Sequence, residues 1–418
     1  MQNVLIVDDS ESILNSLREK LLGYPNIHIF YAKNYQEAIN ILRKHNKEID
    51  VALLDVILPD APNGEVIALA NLNNIPSIVL TATLNKKTRE TIQKKEIISY
   101  ILKNKSSSID LAVKTILMAL SNSQKTVLVV DDSDVARKEL SHILEKINLK
   151  VIKAENGEEA LEILQNNKEP ISLLITDYDM PVLDGLEFTI KARELYDKNN
   201  LGIIVASAHG NKETVDNLLT FGANDFIHKP LSAIEVIAKV NINLELLTLF
   251  ENIEDMANKD YLTGLYNRRY LFETGNNIFL KSKREKASLA VAMIDIDKFK
   301  DINDVHGHDI GDLAIKEMKK ILEQNLRTYD LSARFGGEEF CIILENITLE
   351  DTQKLFEKIR QAFEDNVLNV DEKSIKYTVS IGIAFGLSDT FEDMIRLSDK
   401  ALYESKETGR NKVTIRST

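Results

Sequence analysis

Asp295, Glu338 and Glu339 are the residues of this 418-residue chain whose types and spacing are best suited to chemistry. The glutamates belong to the run Gly336-Gly337-Glu338-Glu339-Phe340, which lies between two short apolar stretches, 331–335 and 340–344, and therefore reads as the turn of a β-hairpin. Paired glycines permit positive φ and present no Cβ wall, so a phosphate can come close to the backbone, and an acid directly after them can hold a cation there. Asp295 ends the apolar run 289–294, which reads as a strand. Two carboxylates from neighbouring strand ends make a hard oxygen site suited to Mg²⁺ carrying a nucleoside triphosphate. Taken alone, the pentad is equally readable as a plain hairpin turn with solvated acids.

A second kind of carboxylate cluster occurs twice. Val4-Leu5-Ile6-Val7-Asp8-Asp9-Ser10 returns as Val127-Leu128-Val129-Val130-Asp131-Asp132-Ser133, and at nearly the same offset Asp55 is echoed by Asp177 and Lys103 by Lys229. Such self-similarity indicates two related domains in tandem. In the second copy the apolar runs 127–130, 151–154, 173–176, 203–206 and 225–227 alternate with amphipathic segments. That order predicts a five-stranded parallel sheet with helices on both faces and ligands at the carboxyl ends of the strands. Those ends carry Asp8, Asp9, Asp55, Thr81 and Lys103 in the first copy, and Asp131, Asp132, Asp177, Ser207 and Lys229 in the second. Three carboxylates repel one another, and a divalent cation with a lysine offsets the repulsion. One carboxylate is then left to attack a phosphoryl donor, while the hydroxyl meets the new phosphate.

Both copies, residues 1 to about 245, resemble response-regulator receiver domains. The resemblance implies flavodoxin-like (βα)5 folds, Mg²⁺ at each acidic triad, and Asp55 and Asp177 as phosphoacceptors for a sensor histidine kinase or phosphotransfer protein. A pair of scaffolding receivers that no longer signal is the competing reading. The first copy departs more: its loop between Pro59 and Gly64 is one residue longer than its counterpart, and Asn104 follows Lys103 where Pro230 follows Lys229. The X-Pro bond fixes the lysine loop of the second copy, with a cis peptide as one option, so the placement of Lys103 is the open point. Glu159-Ala160-Leu161 reads as part of a helix whose Ala160, Leu161 and Leu164 form its buried stripe.

Beyond residue 260 the expected elements are a helix over 266–281, a strand over 289–294, a helix over 311–326, the hairpin, a helix over 352–363, a strand over 377–385, a helix over 391–404 and a strand over 412–415. The core order βαββαβ is ferredoxin-like. The blocks Asp260-Tyr261-Leu262-Thr263-Gly264-Leu265-Tyr266-Asn267-Arg268-Arg269, Asp295 to Asp304, Gly307-His308, Gly311-Asp312 and Lys406 to Asn411 resemble the GGDEF diguanylate cyclase family in order and spacing. This implies a palm-type nucleotidyl cyclase fold and condensation of two GTP into cyclic di-GMP with loss of two pyrophosphates, each domain holding one GTP so that a homodimer is required. By the same resemblance Asp295, the Ile296 carbonyl and Glu338 hold Mg²⁺ or Mn²⁺, and Glu339 assists. Asn303 and Asp312 take the guanine, and Lys300, Lys406 and Arg410 take the phosphates over the Gly336-Gly337 turn. Arg327-Thr328-Tyr329-Asp330 resembles the family's RxxD inhibitory product site, with Lys358 where relatives often place a further arginine. The residue-level alternatives are solvated surface charges for Lys406 and Arg410 on one helical face, structural roles for His306 and His308, and no role for Asp297, expected to face away from the site if the strand continues. A non-catalytic module that senses GTP or cyclic di-GMP is the rival reading of the whole.

Composition narrows the classes further. A hydrophobic content of 44% and a charged content of 28% describe soluble globular material, and the formal charge of -13 with no basic tract argues against nucleic-acid or anionic-membrane binding. The single cysteine, Cys341, excludes an intrachain disulfide, fits a reducing cytoplasm, and is expected in the core. Residues 1–9 read as a first strand rather than a signal peptide, and no apolar stretch is long enough for a bilayer. The expected organisation is two receivers over 1–122 and 123–245, a helical linker over 246–259 and a cyclase domain over 260–418. The linker continues the last receiver helix, with Val240, Leu244, Leu247, Phe250 and Ile253 spaced to pack either on their own receiver or on a second subunit.

Overall fold

The computed structural model describes residues 2–45, 48–82, 97–103, 107–167, 169–208, 212–370 and 373–418. The chain forms two compact units, Met1–Phe250 and Glu251–Thr418.

The first unit holds two parallel sheets. Strands β1 (Gln2–Val7), β2 (Ile27–Ala32), β3 (Val51–Leu54), β4 (Ser77–Thr81) and β5 (Ser99–Leu102) lie in the order β2-β1-β3-β4-β5. Strands β6 (Thr126–Val130), β7 (Lys150–Ala154), β8 (Ile171–Asp177), β9 (Gly202–Ser207) and β10 (Asp225–His228) repeat that order as β7-β6-β8-β9-β10. This is the doubly wound arrangement in which the chain reverses direction beside the first strand, opening a crevice at the carboxyl ends of the first and third strands. Strands β3, β4, β6 and β9 are buried along their whole length, as expected of parallel strands covered by helices on both faces.

Each sheet keeps a core of its own on one face and shares a core with the other sheet on the second face. Leu17, Ile116 and Ala119 of the first copy and Ile143, Ile147 and Val240 of the second belong to one continuous apolar cluster. Side-chain amides bond across the junction: Asn122 Nδ2 donates to Ile147 O at 2.9 Å, and Asn148 Nδ2 donates to Ala119 O at 3.0 Å. The longer loop of the first copy also has a structural use. Asp60 accepts from the backbone N–H groups of Tyr35 and Gln36 at 2.8 and 3.0 Å, closing the start of the helix Tyr35–His45. In the helix Gly157–Asn166, Ala160 and Leu164 are buried as expected, while Leu161 is only partly so.

The helix Ala233–Asn258 decides between the two fates of its apolar stripe. Val236, Val240, Leu244 and Leu247 are buried in the receiver core, whereas Phe250 and Ile253 remain 40% and 60% exposed. The stripe expected to run through position 253 therefore packs on its own receivers only as far as Leu247. A different row, Ile242, Leu246 and Leu249, is exposed on the same helix.

The second unit is built on one sheet ordered β12-β13-β11-β16-β17, from β11 (Leu289–Ile296), β12 (Leu331–Gly336), β13 (Glu339–Glu345), β16 (Val379–Phe385) and β17 (Val413–Ser417). Neighbours among the first four strands in that order run antiparallel, and β17 is added parallel to β16. The order is that of the expected ferredoxin-like core with one strand appended. Strand β11 is buried on both faces: Ala290, Ala292 and Ile294 enter one core, and Leu289, Val291 and Met293 enter the other. Two pieces absent from the sequence-based expectation are the short helix Phe299–His306 and a small hairpin of β14 (Leu368–Val370) and β15 (Lys373–Ile375). Cys341 is fully buried in β13, and burial pushes its thiol far above the ordinary range, which leaves it a packing residue.

Candidate functional site

The hairpin and the central strand place the cyclase-like acids at neighbouring strand ends. Gly337 has φ +55° and forms with Glu338 the two-residue turn between β12 and β13, a conformation glycine adopts without strain. Gly336 is different. It lacks a positive φ, and a Cβ built there would meet nothing within 4 Å, so neither backbone nor packing requires a glycine. Asp295 stands directly opposite Glu339 in the antiparallel register, which places both carboxyls on one face of the sheet. Like charges directly opposite one another weaken a sheet. Here burial pushes the Asp295 carboxyl up to about 6, Lys406 partly offsets this, and Glu338 and Glu339 add to it. Burial likewise raises Glu339. Lys406, from the helix Phe391–Glu407 that covers this face, reaches Asp295 with Nζ 2.8 Å from Oδ2. Unlike the receiver acids, Asp295, Glu338 and Glu339 form no close cluster of three potential ligands among the described residues; a buried carboxylate that feels two glutamates and is answered by one lysine still fits a divalent cation bound through oxygen.

The remaining cyclase-like residues occupy the elements around that strand end. Asn303 lies on the helix Phe299–His306, and its Oδ1 is buried without a hydrogen-bond partner. Gly311 makes room for it, since a Cβ there would lie 2.0 Å from that oxygen and 3.1 Å from Phe299 Cζ. Asp312 and Lys300 are exposed nearby in sequence, on the helices His308–Asn325 and Phe299–His306. Arg410 departs from expectation. The helix ends at Glu407, so Lys406 and Arg410 do not share a helical face; Arg410 sits in the following loop with φ +62° and lines a cleft of about 790 Å³ with Lys298 and Asp297.

Asp297 also corrects the sequence reading. Positions two apart on a strand share a face, so alternation gave no ground for turning it away from Asp295. The strand in fact stops at Ile296. The Asp297 carboxylate is buried and accepts from Thr378 Oγ1 at 2.7 Å, Ser380 Oγ at 2.6 Å and Asn411 N at 2.9 Å. These bonds fasten the loop that carries Arg410.

Arg334 is a residue that the sequence analysis passed over. Its Nε donates to Gly337 O at 2.8 Å, and its Nη1 reaches both carboxylate oxygens of Asp260 at 3.1 Å. Asp260 in turn accepts from the backbone N–H and hydroxyl of Thr263. The glycine turn is thus tied to the start of the domain. The signal was an arginine two residues before Gly336, whose planar fork can serve a carbonyl and a carboxylate at once. His306 and His308 belong to no cluster of three potential metal ligands among the described residues.

Both receiver crevices are assembled, and nearly identically. The carboxylate oxygens of Asp8, Asp9 and Asp55 converge within 4.8 Å of one another, as do those of Asp131, Asp132 and Asp177. Lys103 Nζ lies 2.6 Å from both Asp8 and Asp55, and Lys229 Nζ lies 2.8 Å from both Asp131 and Asp177. The Lys229-Pro230 bond is cis. Lys103 reaches the same partners without a following proline. Burial raises the Asp8 and Asp177 carboxyls, with the lysines pulling the other way. Backbone N–H groups orient the acids: Ser10 and Ser133 donate to Asp8 and Asp131, and Ile57 and Tyr178 donate to Asp55 and Asp177. Thr81 and Ser207 are buried at the ends of β4 and β9. Arg137, also unremarked in the sequence, is buried and donates to Asp131 O at 2.6 Å.

Arg327 and Asp330 meet as an RxxD turn. Arg327 N donates to Asp330 Oδ2 at 2.8 Å, and Arg327 Nη1 donates to the Tyr329 hydroxyl at 2.9 Å. Lys358 is not brought to them; it lies on the helix Leu349–Asp365 and lines another cavity.

Comparison with known proteins agrees with this fold. Residues 4–114 and 127–241 match the response regulator receiver domain, and residues 257–412 match the diguanylate cyclase GGDEF domain. The response regulator PleD of Caulobacter vibrioides is 29% identical over 306 residues, 69% of this chain and 65% of that protein. Diguanylate cyclase A of Treponema denticola is 38% identical over 167 residues, 38% of this chain and 45% of that protein. The matches thus span less than two thirds of either relative. A crystal structure of a two-component response regulator/GGDEF domain protein superposes with a TM-score of 0.53 at 32% identity, covering 59% of this chain and all of that one. With receiver domains over more than half its length and a GGDEF domain after them, the chain belongs to the response regulator family that carries a diguanylate cyclase GGDEF domain.

Proposed function

We propose that this protein condenses two GTP into cyclic di-GMP and two pyrophosphates, and that phosphorylation of its receivers promotes the dimer in which this occurs. The observation that carries the reading is Asp295 facing Glu339 beside the Glu338 turn, a concentration of negative charge that weakens the sheet and that a fold without a cation to bind would have no use for. Asp295, Glu338 and the Ile296 carbonyl are the donors for Mg²⁺ or Mn²⁺. When bound, the cation activates the attacking 3′-hydroxyl and neutralises phosphate charge. The chain's own residues do the rest. Lys406 meets phosphates from beside Asp295, Arg410 from the loop after the Lys406 helix and Lys300 from the helix after the strand, and the open space at Gly336 lets the triphosphate approach the backbone. The N-terminus of the helix Phe299–His306, directly after the strand end, favours an anion. The partnerless Asn303 Oδ1 and the exposed Asp312 carboxylate are acceptors for guanine N1–H and N2–H₂. Adenine lacks that donor pair.

One domain offers one such half-site, so two copies must face each other for each 3′-hydroxyl to reach the other α-phosphate. The exposed Ile242, Leu246 and Leu249 give the receivers' last helix an apolar row for a second copy. In each receiver, the acidic triad fits Mg²⁺, and Asp55 or Asp177 takes a phosphoryl group from a kinase or phosphotransfer partner. Arg327 and Asp330 take the product and limit its accumulation. No helix among the described residues is long and apolar enough to cross a membrane.

The test is incubation of the purified full chain with GTP and Mg²⁺, with and without beryllofluoride, followed by chromatographic identification of the product. Cyclic di-GMP from GTP but not a corresponding product from ATP is the expected result. Absence of turnover in both conditions, with GTP still bound, would overturn catalysis.

A further inference from the structure

The cavity that Arg327 and Asp330 line, about 370 Å³, is also lined by Lys259, from the segment that enters the domain. We propose that Lys259 is the cation that meets a phosphate of cyclic di-GMP at this site, in place of Lys358; this rests on the product-site reading above.

Cyclic di-GMP presents two guanine edges and two phosphates. Asp330 suits guanine N1–H and N2–H₂, and the planar fork of Arg327 suits the base's acceptor edge, so phosphate charge calls for another cation. Among the residues lining this cavity, Lys259 and Arg327 are the cations, and the acids are Glu323 and Asp330. Glu323 has a partner of its own in Lys319, 3.6 Å away. Lys358 instead lines a different cavity, of about 860 Å³, which neither Arg327 nor Asp330 lines.

The backbone holds Lys259 in place. Its N–H donates to Asp255 O at 2.8 Å, and it pairs with Tyr266 in an isolated antiparallel bridge. Its ammonium lies 2.8 Å from Asp255 Oδ1, with side-chain exposures of 39% and 59% for the pair. A pair so open to solvent is weak, and a phosphate can take the lysine from it. Arg327 is held by its neighbour, its guanidinium carbon 5.7 Å from the centre of the Tyr329 ring.

The experiment is calorimetric titration of the full chain with cyclic di-GMP, comparing wild type with Lys259→Ala, Lys259→Arg, Lys358→Ala and Arg327→Ala. Losing one charge-assisted contact should weaken binding on the order of tenfold in Lys259→Ala. Lys259→Arg should retain most of the affinity, which also shows that position 259 tolerates substitution, and Lys358→Ala should bind as wild type does. Loss of binding in Arg327→Ala with wild-type affinity in Lys259→Ala would overturn the role of Lys259 and leave the product site standing. Wild-type affinity in Arg327→Ala would overturn the product site itself.

Discussion

Replacing Asp295 by asparagine should make the nucleotide-free protein more stable while abolishing turnover. The Asp295 carboxyl is pushed from an ordinary 3.8 up to about 6, first by burial, with Lys406 opposing and the neighbouring glutamates adding. A raised carboxyl binds its proton more tightly in the folded state than in the unfolded one. Stability therefore falls as pH rises from about 4 to about 6, the interval between the two values, and is level above it. At about 1.4 kcal/mol per unit the full shift corresponds to roughly 3 kcal/mol, and water's access to the carboxyl reduces this to about 1–2 kcal/mol. Asparagine keeps the shape and does not ionise, so Asp295→Asn should lack this loss. Its advantage over wild type should be small near pH 4, grow through pH 6 and stay constant above pH 7. A chain with several domains does not unfold in one step, so the readout should be local: hydrogen-exchange protection of β11 and β16 amides, both proteins measured at the same pH. An advantage that does not vary with pH, or a mutant less stable than wild type at pH 8, would refute the reasoning about the buried charge.

The other expectations follow from contacts already described. Arg334→Lys keeps a charge but cannot serve Gly337 O and Asp260 together, so turnover should fall roughly tenfold with the fold intact; an unchanged kcat would reduce the tether to decoration. Beryllofluoride with Mg²⁺ should shift the chain towards dimers in sedimentation and raise the rate; Asp177→Asn should lose most of this response and Asp55→Asn a smaller part, while wild type unchanged in both mass and rate would leave the receivers as scaffolds. Arg327→Ala should let product accumulate beyond the wild-type plateau, and superimposable progress curves would count against feedback at that turn. Glu338→Ala should abolish turnover, and wild-type rates would remove it from the cation site.

What the sequence determined by itself was everything carried by period and order. Alternating apolar runs and helical stripes specify parallel sheets twice over and then βαββαβ, because burial of a strand on one or both faces leaves its mark on every second or every residue. Acids directly after apolar runs could be placed at strand ends for the same reason. Tertiary structure decided what depends on contacts between distant segments. That Val240, Leu244 and Leu247 would be buried while Phe250 stayed exposed depends on where the receiver surface ends, which helical spacing does not encode. Lys103 reaches Asp8 and Asp55 without the proline that follows Lys229, because the end of β5 beside β4 already delivers it to the crevice. The role of Asp297 lies in bonds to Thr378, Ser380 and Asn411, all distant along the chain, and Arg334 gained meaning only once Asp260 had been folded back beside the hairpin. The lysine that shares a cavity with Arg327 is likewise chosen by which loop lies across it, a matter of packing rather than of distance along the chain.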